Sequence, residues 1–534
     1  GIDKDRIILM GSVAGGGDPA GVTAALDDRI ACVVPFNFGG WQPESAVTAN
    51  PDREFAWFGD GYWESTRGLR NGARDGFAHW VIVGSVAPRR VVYGHEFAWD
   101  PAADPAWPRL QKVFGFYDAK DRLGFAHGSG SVKGQPPEST HCTHIGAVHR
   151  KMVYPYLKAW FDMPVPQEYS QRRPAGELAC RANPAEGNPG SLQKTLAQFS
   201  EGRARTRLNH LSSVRPEERG PLLRKLWAAG LGEVEPRADP PALVGPAESV
   251  PGARLERFAL ETEPGITVPL LLLTPDRAKG KVPVAVLVSQ AGRAAFLKER
   301  TGVIRAFLDG GAAVCLPDLR GTGESRVGAG ADRASSRTSL SQTEQILGRT
   351  VLGNQFRDLR TVLGWLRTRP GLDRTCQYVW GDSFSEPYYG GGPDPVPLDL
   401  DQPRHAEPGA ATLALLATLF EPSVVAAVGD RGLRVTDAFF GPSVLVPHDA
   451  IVPGCVHARR SELSAHDAAG GRGPVPTGRW DRRPQLHGAA PEEPPGPGRV
   501  GTQTAPAPRT AVTATKQWLA DNRPSANVAE RFGF

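Results

Sequence analysis

From residue 253 to residue 385 the chain alternates short apolar runs with helical spacings, in an order that leaves few folds open. Phe258–Thr262 and Val268–Thr274 flank Pro264-Gly265, a hairpin signal. Val282–Val288 reads as a buried strand ending at Ser289-Gln290-Ala291-Gly292. Phe296–Leu308 has helical spacing, and Ala312–Leu316 is the next strand. Leu352, Phe356, Leu359, Leu363 and Leu366 then recur at 4-3-4-3 spacing, an apolar helix stripe. Such βα units joined by short links predict a doubly wound, mostly parallel α/β sheet. The strand Gln377–Trp380 runs straight into Gly381-Asp382-Ser383-Phe384-Ser385, a small-residue turn with a serine at its apex. Backbone strain in such a turn lifts Oγ clear of the sheet, and the next amide can bind an oxyanion. The spacing is G-x-S-x-S, with Ser385 where a second glycine is usual.

Composition narrows the class. The chain has 534 residues, 40% hydrophobic and 22% charged, enough for two domains or more with full cores. A net charge of +5 without a Lys/Arg run gives no nucleic-acid signature. The six cysteines, Cys32, Cys142, Cys180, Cys315, Cys376 and Cys455, contain no C-x-x-C pair, which argues against a zinc site and gives no disulfide framework. No apolar run approaches the roughly 18–20 residues of a membrane span. The sequence opens on Gly1-Ile2-Asp3 without a methionine, so localisation stays open.

A second strand–turn–helix–strand unit stands near the start. Residues 7–10 are apolar, Gly11-Ser12-Val13-Ala14-Gly15-Gly16-Gly17 is the turn, a helix runs to Ala25, and Ile30–Val34 is a strand. One reading is a phosphate-cradling dinucleotide loop, but G-x-G-x-x-G spacing and the closing acidic residue are missing. The other is a second nucleophile elbow. Ala14-Gly15-Gly16-Gly17 followed by Thr23-Ala24-Ala25-Leu26-Asp27-Asp28-Arg29-Ile30 resembles the elbow of acetyl xylan esterase-like (dienelactone hydrolase-like) α/β-hydrolases. Ser289–Gly292, Asp318-Leu319-Arg320-Gly321-Thr322-Gly323-Glu324-Ser325 and Trp380–Phe384 fit the same family in its tandem-domain form.

The resemblance implies two α/β-hydrolase domains and a role for each matched residue. Residues 1-165 match the C-terminal half of a first domain, truncated before its fifth strand, with Ala14 at a degenerate nucleophile position. Ala87-Pro88-Arg89-Arg90 resembles the strand that precedes the family's catalytic acid, which makes Glu96 the first candidate and Asp100 the second. His141, after the strand Leu123–Ala126 and before a helix with Val153, Leu157, Trp160 and Phe161, takes the catalytic-His place, with His144 one turn away. Residues 166-245 read as a helical, polar linker and 246-455 as the second domain, with Ser383 its nucleophile. Gln290, Ala291 and Phe384 are its oxyanion-hole donors, and Asp449, in a D-x-x-V-P string, its candidate acid. Residues 456-515 are low in Val, Ile, Phe and Tyr and read as low complexity, with 516-534 helix-like. An out-of-frame reading of GC-rich coding sequence is one origin for that stretch, which one intact frame through the locus would exclude.

The function implied is a serine carboxylic-ester hydrolase acting on a small ester or an acylated carbohydrate such as xylan. No cofactor, metal, nucleic acid or membrane is implied, and the oligomeric state stays open. A catalytically inactive hydrolase-like binding protein is the alternative from another class. A prolyl oligopeptidase-type peptidase is a further alternative, although no propeller is legible.

Overall fold

In the computed structural model the apolar alternation of Val282–Val288 (β9) sorts its side chains onto two faces of one sheet. Val282, Val284, Val286 and Val288 face one core, and Ala285 and Leu287 face another. The structure describes residues 3–39, 69–72, 74–102, 104–130, 134–140, 143–168, 171, 173–178, 202, 206, 210, 213–326, 336–385, 407–430 and 446–453. By its contacts the chain forms two units.

The first unit (Gly1–Thr195, Gly330–Val351 and Pro447–Asp449) holds a four-stranded sheet. Its strands β1 (Ile7–Ser12), β2 (Ile30–Phe36), β3 (Arg90–His95) and β4 (Leu123–His127) lie in chain order and are all parallel. Three helices and their residues cover one face: α1 (Val13–Leu26), α2 (His79–Gly84) and α3 (Ala106–Gly115), through Ala20, Ala24, Val83, Leu110 and Phe114. The helix α4 (Ala147–Phe161) covers the other face, with Val153, Leu157 and Phe161 packed on Cys32, Val34 and Phe36. Of the expected stripe, Trp160 is only partly buried and bonds the carbonyl of Asp121 at 3.0 Å.

The second unit (Leu196–Ala329, Leu352–Val446 and Ala450–Phe534) is built on an eight-stranded mixed sheet. The helix α5 (Pro216–Leu231) belongs to it: Leu223, Trp227 and Leu231, spaced by four, enter its core. The end of the polar stretch expected as linker is thus core-forming. Short strands β5 (Ala242–Val244) and β6 (Glu248–Val250) both pair with β7 (Ala253–Glu263), which forms the expected hairpin with β8 (Ile266–Pro275). Beyond β9 come α6 (Arg293–Glu299), α7 (Thr301–Asp309) and β10 (Ala313–Pro317). The helix expected over Phe296–Leu308 is therefore two helices, broken at Arg300. After α8 (Ser336–Ile346), which groups with the first unit, α9 (Val351–Thr368) leads to β11 (Leu372–Asp382), α10 (Gly409–Phe420) and β12 (Val424–Asp430).

Read from β7, the strands stand first, second, fourth, third, fifth and sixth across the sheet, with only the second antiparallel to its neighbour from the parallel set. This is the strand order of α/β-hydrolases. The helices α5, α9 and α10 cover one face of the sheet and α6 and α7 the other.

Candidate active site

The strand β11 carries the serine turn and extends two residues past the apolar run that announced it. Ser383 continues the ladder: its N–H donates to the carbonyl of Asp430 on β12 at 3.2 Å. The left-handed residue of the turn is the next one, Phe384, at φ 54°. Gly381 must stay small, because a Cβ there would run into the carbonyl of Ala410 at the start of α10. Ser383 Oγ accepts from the N–H and the hydroxyl of Ser385, at 3.3 and 3.0 Å.

Asp382, fully buried beside the serine, is held from two sides. Its Oδ1 accepts the Phe384 N–H at 2.9 Å, and its Oδ2 accepts Arg300 Nε at 2.7 Å. Burial pushes its pKa up, with Asp430 acting in the same direction, against the pull of the Phe384 amide and of Arg300. The Phe384 N–H, expected at the oxyanion, thus already has an acceptor. So does the Ala291 N–H, which donates to Ser289 Oγ at 3.0 Å. The side chain of Gln290 exchanges bonds of 2.7 and 3.1 Å with Gln355 in the interior.

In the first unit the positive-φ residue of the glycine-rich turn is Val13, at φ 49°. Ser12 ends β1 before it and Ala14 follows as the second residue of α1. Neither Val13 nor Ala14 has a nucleophilic atom. Glu96, just past β3, is buried and clasped by Asn37, through Nδ2 to Oε2 at 2.8 Å and Glu96 N–H to Asn37 Oδ1 at 2.9 Å. Its other oxygen lies 3.1 Å from Nδ1 of His144, an ion-pair distance without the alignment of a hydrogen bond. Glu96 thus faces the imidazole of His144; the expected His141 lies outside the described residues. Asp100 is exposed and caps the N–H of Ala102 at 2.9 Å.

His149 is a residue the sequence did not point to. Its Nδ1 accepts the N–H of Gly146 at 2.9 Å, so Nε2 carries the proton and donates to the carbonyl of Glu96 at 2.8 Å. One buried ring thereby ties the loop of His144 to the backbone of Glu96. Burial lowers its pKa, which keeps it in the neutral form this arrangement needs.

Asp449 lies in a 3-10 turn, His448–Ala450, and is buried. It groups with the first unit, whereas Ser383 belongs to the second. His448 is held by Ser341 and Gln342, at 2.9 and 3.0 Å. Among the described residues no group of three or more His, Cys, Asp or Glu could hold a metal ion, and no helix is long and apolar enough to cross a membrane.

A serine turn at the end of the fifth strand, in a sheet of this order, resembles the α/β-hydrolases. No protein-family model and no curated protein matches the sequence. The solved structures to which it is similar include a protein described as an acetyl xylan esterase from Bacteroides fragilis, at 15% identity, covering 46% of this chain and 62% of that one with a TM-score of 0.33. A methylesterase is similar at 19% identity, with 51% and 53% covered and a TM-score of 0.34. A glucuronoyl esterase from Solibacter usitatus follows at 12% identity, with 41% and 60% covered and a TM-score of 0.28. The chain spans 53–62% of the length of these structures.

Proposed function

We propose that this chain is a serine carboxylic-ester hydrolase that forms its acyl-enzyme on Ser383, with an acylated carbohydrate such as xylan as the substrate class. The supporting observation is the position of Ser383 at the C-terminal end of β11, the edge beyond which open α/β sheets bind ligands. In such a reaction Oγ attacks the acyl carbonyl, the sugar hydroxyl leaves with a proton, and water then releases the acid. Two tandem hydrolase domains, residues 1-165 and 246-455, make up the chain in this reading. In the first, Glu96 and His141 hold the acid and imidazole roles, with His144 beside Glu96, and Ala14 stands where a nucleophile would. Hydrolysis of p-nitrophenyl acetate by the wild type and by Ser383→Ala tests the proposal, and equal rates would refute it.

A non-catalytic binding protein is the second reading. It is favoured by the amides of Phe384 and Ala291, both occupied by acceptors within the chain. Binding of acetylated xylan without turnover, by calorimetry, would select it.

A further inference from the structure

We infer that Arg300 is a positioning residue for the Ser383 turn, acting through Asp382; this rests on Ser383 being the nucleophile. Arg300 contacts both sequence neighbours of the serine. Its Nε donates to Asp382 Oδ2 at 2.7 Å, and its Cζ lies 4.8 Å from the centre of the Phe384 ring.

The local fold is arranged for these contacts. Arg300 stands where α6 gives way to α7, with φ −127° and ψ 28°, and its N–H closes α6 on the carbonyl of Phe296 at 2.9 Å. Phe296, one turn earlier on the same face, meets the Phe384 ring edge-on at 5.1 Å. Phe384 is thus gripped by a residue of α6 and by the residue that ends it, while it holds a left-handed backbone that a bulky side chain adopts only under restraint.

The electrostatic consequence concerns the reaction itself. Asp382 is fully buried and immediately precedes Ser383, the residue on which a tetrahedral intermediate would form. Among the described residues, Arg300 is the positive group on Asp382, at 2.7 Å, while Asp430 adds a negative charge. A bare carboxylate there opposes the negative charge of the tetrahedral intermediate, and Arg300 cancels it. Arg300 also restrains the backbone beside Ser383, since the Asp382 it holds accepts the Phe384 N–H in this structure.

The test is the rate at which a fluorophosphonate labels Ser383 in the full chain, followed by mass spectrometry of the Ser383 peptide. The variants are Arg300→Met, Asp382→Asn and the two together, with thermal unfolding measured for each. Arg300→Met is expected to slow labelling about tenfold or more, less than the roughly 100–1,000-fold of a lost oxyanion-hole donor because Arg300 acts through Asp382. Adding Asp382→Asn, which removes the bare charge and keeps an acceptor for the Phe384 N–H, is expected to recover most of that loss. Absence of that rescue overturns the inference, and so does labelling that merely tracks thermal unfolding across the variants, as a purely structural Arg300 would give. So does labelling of Arg300→Met at the wild-type rate. Should Arg300→Met fail to fold, Asp382→Asn with and without Arg300→Met are predicted to label alike, and a slower double variant is contrary. An unlabelled wild type is a different result: it removes Ser383 as nucleophile, and the role of Arg300 with it.

Discussion

Asn37 and Glu96 hold each other by two hydrogen bonds, side chain to carboxylate at 2.8 Å and backbone N–H to side-chain carbonyl at 2.9 Å. Asn37 also sits at φ 57°, a conformation that Asn tolerates better than most residues. Asn37→Gly keeps the backbone free and loses only the clasp, so it is expected to cost about 1–3 kcal/mol of the stability of the first unit. Asn37→Ala adds left-handed strain of roughly 1–2 kcal/mol. Urea unfolding should therefore rank Ala below Gly at this position, the reverse of the order in a helix.

His95 gives the first unit a pH dependence. It is buried, stacked on Trp99 at 4.8 Å and edge-on to Tyr93 at 4.8 Å. Burial first, then repulsion from His127, lowers its pKa from the ordinary 6.5 to about 3. Between those values the unfolded chain binds the proton and the folded one does not. Stability is thus full above about pH 6.5 and falls as the pH drops towards 3. At pH 4 the loss is roughly 3 kcal/mol. His95→Phe, which keeps the stack, should flatten the slope of urea midpoint against pH between 7 and 4, leaving the part due to His149.

Asp358, fully buried in the second unit, accepts from Thr262 Oγ1 at 2.6 Å and from Arg320 through N, Nε and Nη2 at 3.0, 2.8 and 2.6 Å. Arg320 belongs to the Asp318–Ser325 segment, which this network anchors. Removing the carboxylate takes three bonds from the half-buried Arg320, which keeps Glu263 at 2.8 Å, and the acceptor from Thr262, so Asp358→Ala is expected to cost about 2–4 kcal/mol in denaturant unfolding.

Two glycines should respond oppositely to alanine. At Gly381 the new methyl meets the Ala410 carbonyl, so the sheet or α10 must move, at a cost of about 1–3 kcal/mol or more. At Gly364, inside α9, it meets only the end of the Arg367 side chain at 3.6 Å. Gly364→Ala should raise stability by about 1 kcal/mol. Thermal unfolding of the two variants checks both signs.

The central strands were legible because residues such as Val282–Val288 carry their burial in the local pattern. Features set by distant partners were not. The helical spacing of Phe296–Leu308 gives no hint of a break at Arg300, whose partner Asp382 is 82 residues away. Asn37 and His149 find Glu96 at separations of 59 and 53 residues, with no local motif. The approach of His144 to Glu96 likewise exists only in the folded loop before α4. Nor does the run from Gly11 to Gly17 show which residue takes the positive φ, which falls on Val13, next to the expected Ala14. Pro216–Leu231 hid its core stripe of Leu223, Trp227 and Leu231 among Arg, Glu and Pro.

Ser383 is the residue on which the functional account stands. Intact-mass and peptide measurements after incubation with a fluorophosphonate, beside p-nitrophenyl acetate hydrolysis by wild type and Ser383→Ala, test it most directly. The account predicts one adduct on Ser383 and a loss of about 1,000-fold or more in rate in the variant, the scale of removing a triad member. No adduct on Ser383, with identical rates for the two proteins, would contradict it.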